Sequence, residues 1–261
     1  MAKTRQHLTP AEAAERGLLC KKDLKALGLM PGPATRPAGT VWQGRGAYYV
    51  YAPAECGPYV RQPNQALLRR REAASVAAEW LAGETVILDT ETTGLYDAEI
   101  VELSIIDTAG NVLLDTLVRP TRPIPAEATE IHGITDEMVA NAPTWAEVYP
   151  QYQALVAGKT IAAYNAEFDA GMVDKSCRAH GIEQPSTKAL RPAGNWSCAM
   201  RLYSRWVGET RDDGQFRWHK LTAAAAACGV QETGAHRALA DARMTLGVLQ
   251  YLSERSSGRK T

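Results

Sequence analysis

Cysteine is scarce in this sequence, and nothing pairs what there is. Five cysteines (Cys20, Cys56, Cys177, Cys198 and Cys228) are scattered over 261 residues, odd in number and never spaced as CxxC. That argues against a disulfide framework and a cysteine zinc site, and it fits a reducing compartment. Long apolar runs are missing as well. The opening Met1-Ala2-Lys3-Thr4-Arg5-Gln6-His7 has no apolar core of a secretion signal, and no run reaches membrane-spanning length. The expectation is a cytoplasmic protein with no membrane contact. Repeats and low-complexity segments are absent too, and only 256–261 reads as a loose tail.

Net charge is also lacking, but only in the sum. Residues 1–84 carry 12 Lys/Arg against 7 Asp/Glu, and the remainder carries 17 against 22. The acidic part needs cations before a polyanion can approach, whereas the basic part could help hold one. With 45% apolar and 22% charged residues, the composition is that of a globular protein, neither disordered nor fibrous. The length suits one catalytic domain with a small appendage.

Thr9-Pro10-Ala11-Glu12 reads as a helix start: Thr9 caps, Pro10 suits the first helical position, and Glu12 closes a capping box. A second short helix is expected over 22–27, and residues 41–42 and 47–51 flank Gly44-Arg45-Gly46 as a hairpin. This helix-helix-hairpin piece, 1–60, loosely resembles a winged helix. It is a small α+β domain suited to binding nucleic acid through Arg45 and the tyrosines, to docking a replication or plasmid-associated protein, or to covering the main domain. A connecting helix is expected within 61–82, with Arg69, Arg70 and Arg71 on a solvated face.

From Thr85 the pattern changes to β-branched runs at 85–89, 100–107 and 112–118, which suggests a three-stranded meander. Helices at 145–156, 167–180, 198–207, 220–228 and 238–253, with a strand at 160–164, give a mixed-sheet α/β arrangement over 83–255.

The acids carry the chemistry. In Val86-Ile87-Leu88-Asp89-Thr90-Glu91-Thr92-Thr93-Gly94-Leu95, three apolar residues run into Asp89 and Glu91. Two residues apart on a strand, these point to the same face. Such a pair is costly to bury unless a hard cation such as Mg²⁺ or Mn²⁺ lies between the carboxylates. In Asn165-Ala166-Glu167-Phe168-Asp169, Asn165 is a good helix N-cap, so Asp169 falls in the first turn. In Gly234-Ala235-His236-Arg237-Ala238-Leu239-Ala240-Asp241, residues five apart on one continuous helix diverge by about 140°. His236 and Asp241 can share a site only if His236 lies in the loop before the helix.

LDTETTG, NAEFD and HRALAD, in this order, resemble the DnaQ-like 3′-to-5′ exonucleases of the DEDDh type, a superfamily that includes polymerase proofreading subunits. The resemblance covers roughly 83–255. It implies an RNase H-like mixed five-stranded sheet flanked by helices. It implies that Asp89, Glu91, Asp169 and Asp241 hold two divalent metal ions, Mg²⁺ or Mn²⁺, and that His236 is the general base for the attacking water. Thr92, Thr93 and Gly94 would offer backbone N–H groups to a terminal nucleotide, and Leu95 would wedge against its base. Asn165, next to these motifs, is counted with the substrate-binding positions. His132, in a segment that resembles one lining the nucleotide pocket, is either a substrate contact or a structural histidine. Phe168 is either a base-stacking or a core residue. The segment 211–220 interleaves basic and aromatic residues, as single-stranded nucleic-acid binders do. The expected activity is metal-dependent trimming of single-stranded DNA from its 3′ end. The alternatives are an exoribonuclease, or a non-catalytic binding module on the same scaffold.

Overall fold

The first helix begins at a complete capping box. Thr9 Oγ1 accepts from the Glu12 amide, and Glu12 Oε2 accepts from the Thr9 amide at 2.7 Å. This belongs to a computed structural model that describes residues 6–44, 46–60, 64–183, 195–231, 234 and 236–255. Arg45 and the tail 256–261 lie outside the described residues. The chain divides into two units, Met1–Pro63 and Asn64–Thr261.

The first unit runs β1 (His7–Leu8), α1 (Pro10–Glu15), β2 (Leu19–Cys20), α2 (Lys21–Ala26), β3 (Leu29–Met30), β4 (Gly39–Gln43), β5 (Gly46–Tyr51) and β6 (Gly57–Pro58). Four strands form a sheet in the order β1-β4-β5-β2, and β3 pairs with β6 separately. Strands β4 and β5 are the expected hairpin. Leu8, Ala13, Val41 and Val50 make a small core. Gly39 is required there, because a Cβ on it would lie 2.6 Å from Leu8 Cδ1.

The second unit opens with α3 (Gln65–Ala82), capped by Asn64, whose Oδ1 accepts from the Leu67 amide. Ala73, Ala74 and Ala77 of α3 are buried. Its arginines are not simply solvated. Arg69 reaches over Phe216, and Arg70 lies over Trp206 and donates to its carbonyl. The long alkyl stems gain apolar contact while the guanidinium groups find aromatic faces.

There follow β7 (Thr85–Thr92), β8 (Ile100–Asp107), β9 (Val112–Leu117), α4 (Ala126–His132), α5 (Asp136–Val139) and α6 (Trp145–Val156). The chain continues through β10 (Thr160–Ala163), α7 (Ala166–Ala179), β11 (Asn195–Cys198), α8 (Ala199–Val207), α9 (Leu221–Ala227) and α10 (Ala238–Ser253). The sheet order is β11-β10-β7-β8-β9. β8 pairs antiparallel with β7 and with β9, while β10 runs parallel to β7 and to β11. This is the mixed five-stranded sheet that the resemblance implies. Strand β7 extends to Thr92, past the expected 89, with a register shift between Glu91 and Thr92. The short elements β11, α4 and α5 carry no strong periodicity and do not stand out in the sequence.

Alternation along β7 distributes its side chains between two cores. Ile87 joins the cluster with α3, α8, α9 and α10, whereas Val86 and Leu88 join the one with α6 and α7. In the latter, Trp145 is fully buried, donates from Nε1 to Cys177 Sγ at 3.0 Å, and lies against Tyr149 and Tyr152. Trp145→Ala removes this packing and leaves a cavity. It is expected to cost the second unit about 3–5 kcal/mol, read from its urea unfolding transition.

Candidate active site

The same alternation builds the site. Asp89 and Glu91 follow Ile87 on the α10 face of the sheet, and Thr90 between them faces α7. Asp241 lies in the first turn of α10. One oxygen from each of Asp89, Glu91 and Asp241 lies within 4.8 Å of the others. Asp169, in the first turn of α7, is buried, and its Oδ1 accepts from Thr90 Oγ1 at 2.9 Å. It is not one of that gathered trio. His236 precedes α10 in a left-handed conformation (φ +65°), and its amide donates to Asp241 Oδ1 at 3.3 Å. The imidazole is exposed beside the acids and off the helix, as the spacing requires.

Burial and mutual repulsion push these carboxyls up. Asp89 lies well above the usual carboxylate range, first because it is buried and then because Asp169, Asp241, Glu91 and Glu102 surround it. Burial, followed by Asp241, Glu102 and Asp169, raises Glu91 to about 8, against a smaller opposing pull from Arg237. Asp169 is raised to about 7 by burial, with the Thr90 hydroxyl pulling the other way. Several buried carboxylates cannot all ionise together at neutral pH without positive charge among them. A cluster of oxygen donors alone suits hard divalent cations, so the residues fit the metal ions that the resemblance implies.

One acid here does not stand out in the sequence. Glu102 of β8 lies directly across from Glu91 in the antiparallel ladder, and it is buried. Arg237 Nε donates to its Oε1 and Oε2 at 3.0 and 3.1 Å, and Arg237 Nη2 donates to Oε1. The Ala238 amide, the first of α10, donates to Glu102 Oε2 at 2.9 Å. The N-cap position of α10 makes no side-chain cap of its own. Glu102 supplies that cap from the sheet, and in doing so fixes the helix start that carries His236 and Asp241. A glutamate inside the apolar run Ile100-Val101-Glu102-Leu103 is the available signal, since such a residue is rarely buried unpaired.

The softer candidates divide. His132 is buried, accepts at Nδ1 from the Ile134 amide and bonds through Nε2 to the Thr92 carbonyl at 3.2 Å. Burial holds its pKa down. The ring is therefore a neutral tether between α4 and the end of β7, the structural role of the two expected for it. The Thr93 amide is not free for a ligand, because it donates to the Glu99 carbonyl at 2.9 Å. The Gly94 amide faces Thr92 Oγ1 at a long 3.4 Å. Leu95 and Tyr96 are exposed at 67% and 91%. Asn165 makes no side-chain cap, contrary to expectation: its backbone, at φ −117° and ψ 71°, is outside the extended conformation usual for a capping residue. Phe168 packs, half-buried, on the α6–α7 core.

The exonuclease family model RNase_T matches residues 86–249. The chain belongs to this exonuclease family. A protein of Escherichia phage 186, described as an uncharacterized exonuclease, is 46% identical over 180 residues, covering 68% of this chain and 92% of its own length. The DNA polymerase III subunit epsilon of Pasteurella multocida is 34% identical over 100 residues, covering 34% of this chain and 40% of that protein. The chain thus spans less than half of the polymerase subunit it matches. The nuclease domain of 3′hExo, a DEDDh family member crystallised with rAMP, superposes with a TM-score of 0.53 at 18% identity, covering 67% of this chain and 94% of that domain. Its fold is the RNase H-like one described above. The enzyme class is that of the 3′-to-5′ exonucleases. Among the described residues, no helix is long and apolar enough to cross a membrane.

Two measurements follow from the electrostatics. With raised pKa values, Glu91 and Asp169 hold protons in the folded state that they release when unfolded. Their contribution to the stability of the metal-free protein is therefore fully present below the ordinary carboxylate range and is lost as pH climbs from there to about 8. Thermal unfolding in EDTA is expected to show that loss, and added Mn²⁺ to raise the transition more at about pH 8.5 than at about pH 5.5. Glu102→Gln keeps a cap acceptor but loses the charged pair with Arg237. It is expected to weaken Mn²⁺ binding, measured by calorimetry, by roughly 10–100-fold.

Proposed function

We propose that the protein removes nucleotides one at a time from the 3′ end of single-stranded DNA, by hydrolysis that depends on two divalent metal ions. The observation that carries this reading is the meeting of Asp89, Glu91 and Asp241 within 4.8 Å, with Asp169 behind them and His236 at the rim. Asp89, Glu91, Asp169 and Asp241 would hold the ions. Bound there, the ions would lower the pKa of the attacking water and stabilise the leaving 3′ oxygen.

The chain's own residues supply the rest. His236, exposed and off the helix, would take the water's proton as general base. Its backbone amide on Asp241 keeps the two in a fixed relation. Leu95 would wedge against the terminal base, and the unused side-chain amide of Asn165 would serve a sugar or base edge. His132 would act through Thr92 rather than by touching substrate. DNA is favoured by the similarity to a DNA polymerase III subunit. An RNA substrate is the second reading, favoured by the fold shared with a nuclease bound to rAMP. A scaffold without catalysis fits less well, because the gathered acids Asp89, Glu91 and Asp241 support a metal-dependent reaction.

The deciding experiment digests 5′-labelled single-stranded DNA and RNA of one sequence with Mg²⁺, with Mn²⁺ and with EDTA. A metal-dependent ladder of shortening products is expected on DNA. It should be absent with Asp89→Asn and slowed about 10²–10⁴-fold with His236→Ala. Equal or faster digestion of RNA would overturn the DNA assignment. Absence of any ladder would overturn the activity itself.

A further inference from the structure

An exposed tryptophan, Trp218, stands on the loop between α8 and α9 with no packing reason to be there. Ala162 of β10 is in register with Ile87 of β7, and both side chains enter the cluster on the α10 face. Tyr164 follows the C-terminal end of β10, which runs parallel to β7, so it lies toward the same end of the sheet as Asp89 and Glu91, with its side chain in the cluster that Ile87 joins. The Tyr164 hydroxyl donates to the His219 carbonyl at 2.8 Å. The loop 217–220 is thereby tied to the residue that follows β10, at the acid-bearing end of the sheet.

Other interactions stiffen that loop. The His219 ring meets Tyr203 edge-on with centroids 5.5 Å apart. Thr210 bridges Phe216, and the Arg217 amide donates to the Glu209 carbonyl at 2.9 Å. On this fixed mount Trp218 is 60% exposed. Arg217 and Lys220 flank it, both exposed. Among the described residues neither of their side chains has an ion-pair or hydrogen-bond partner, whereas Arg211 nearby is taken up by Asp213. A large indole held in water on a rigid loop, between two free cations, forgoes apolar burial unless something stacks on it.

We propose that Trp218 is a base-stacking residue for the strand upstream of the 3′-terminal nucleotide, with Arg217 and Lys220 on the adjoining phosphates. The proposal deepens the exonuclease reading and rests on it for the direction of the strand. Stacking on an indole tolerates any base, so Trp218 supplies grip on single strands rather than sequence choice. Duplex DNA has its bases already stacked and would gain nothing from it.

The test is binding of a 5′-fluorescein oligonucleotide of about 15 nucleotides to the full chain, with Ca²⁺ replacing Mg²⁺, followed by anisotropy. Trp218→Ala is expected to weaken binding roughly tenfold, the order that one base–aromatic stack carries. Trp218→Phe should recover most of it. In Mg²⁺, Trp218→Ala should raise KM by a similar factor and change kcat less. The double variant Arg217→Ala/Lys220→Ala should flatten the salt dependence of log K by about 0.7 for each phosphate it no longer neutralises.

Wild-type affinity in Trp218→Ala, or Phe as weak as Ala, would overturn the stacking role. An unaltered salt slope would overturn the phosphate pairing. A normal digestion ladder alongside either result leaves the exonuclease reading standing. Trp218-dependent binding without any ladder would sink that reading instead and keep the stacking role.

Discussion

Repulsion among buried carboxylates is the constraint on which the second unit depends. Asp89, Glu91 and Asp169 approach one another and Glu102 from three elements, and those three carboxyls are pushed above their ordinary ionisation range unless a positive charge intervenes. Among the described residues, Glu102 is the one of these with that charge built in, from Arg237. The others are left for cations to neutralise. The protein thus gives up stability for a site organised for ions, a trade common where function requires strained electrostatics.

The strand period then decides which helix each acid answers to. Asp89 and Glu91 share a face with α10, and Thr90 between them reaches through to Asp169 on α7. A one-residue slip of β7 would send the acids to the α7 face and Leu88 to the α10 face. The antiparallel ladder to β8 guards against this, since Val86, Ile87 and Leu88 lie opposite Asp107, Ile106 and Ile105 in a buried sheet.

The five catalytic candidates stand out in the sequence through the resemblance of LDTETTG, NAEFD and HRALAD to the DEDDh motifs, and their spacing limits where each can lie. An i, i+2 pair at a strand end, an acid in a helix's first turn and a histidine five residues before an acid each allow few placements. Glu102 is hidden because its meaning comes from a residue 135 positions later. Asn165 and Thr93 mislead for a related reason. Local propensity names a cap or a free amide, but the backbone at 165 is not in the extended conformation of a side-chain cap, and Glu99 claims the Thr93 N–H. Strand β11 escapes notice because Asn195-Trp196-Ser197-Cys198 has no alternation of its own and owes its extension to pairing with β10. In the first unit the caps and the hairpin turn are local signals, and they read directly.

The register shift after Glu91 has a consequence for how the protein can vary. Beyond it, residues 93–99 close on themselves: the Thr93 amide bonds the Glu99 carbonyl, and Thr93 Oγ1 accepts from the Glu99 amide. Glu99 is anchored below by Thr121. The tip at Leu95, Tyr96 and Asp97 is in effect an interchangeable cassette clipped to a rigid socket. Its length and chemistry can drift, in evolution or by design, while the acids beneath keep their spacing.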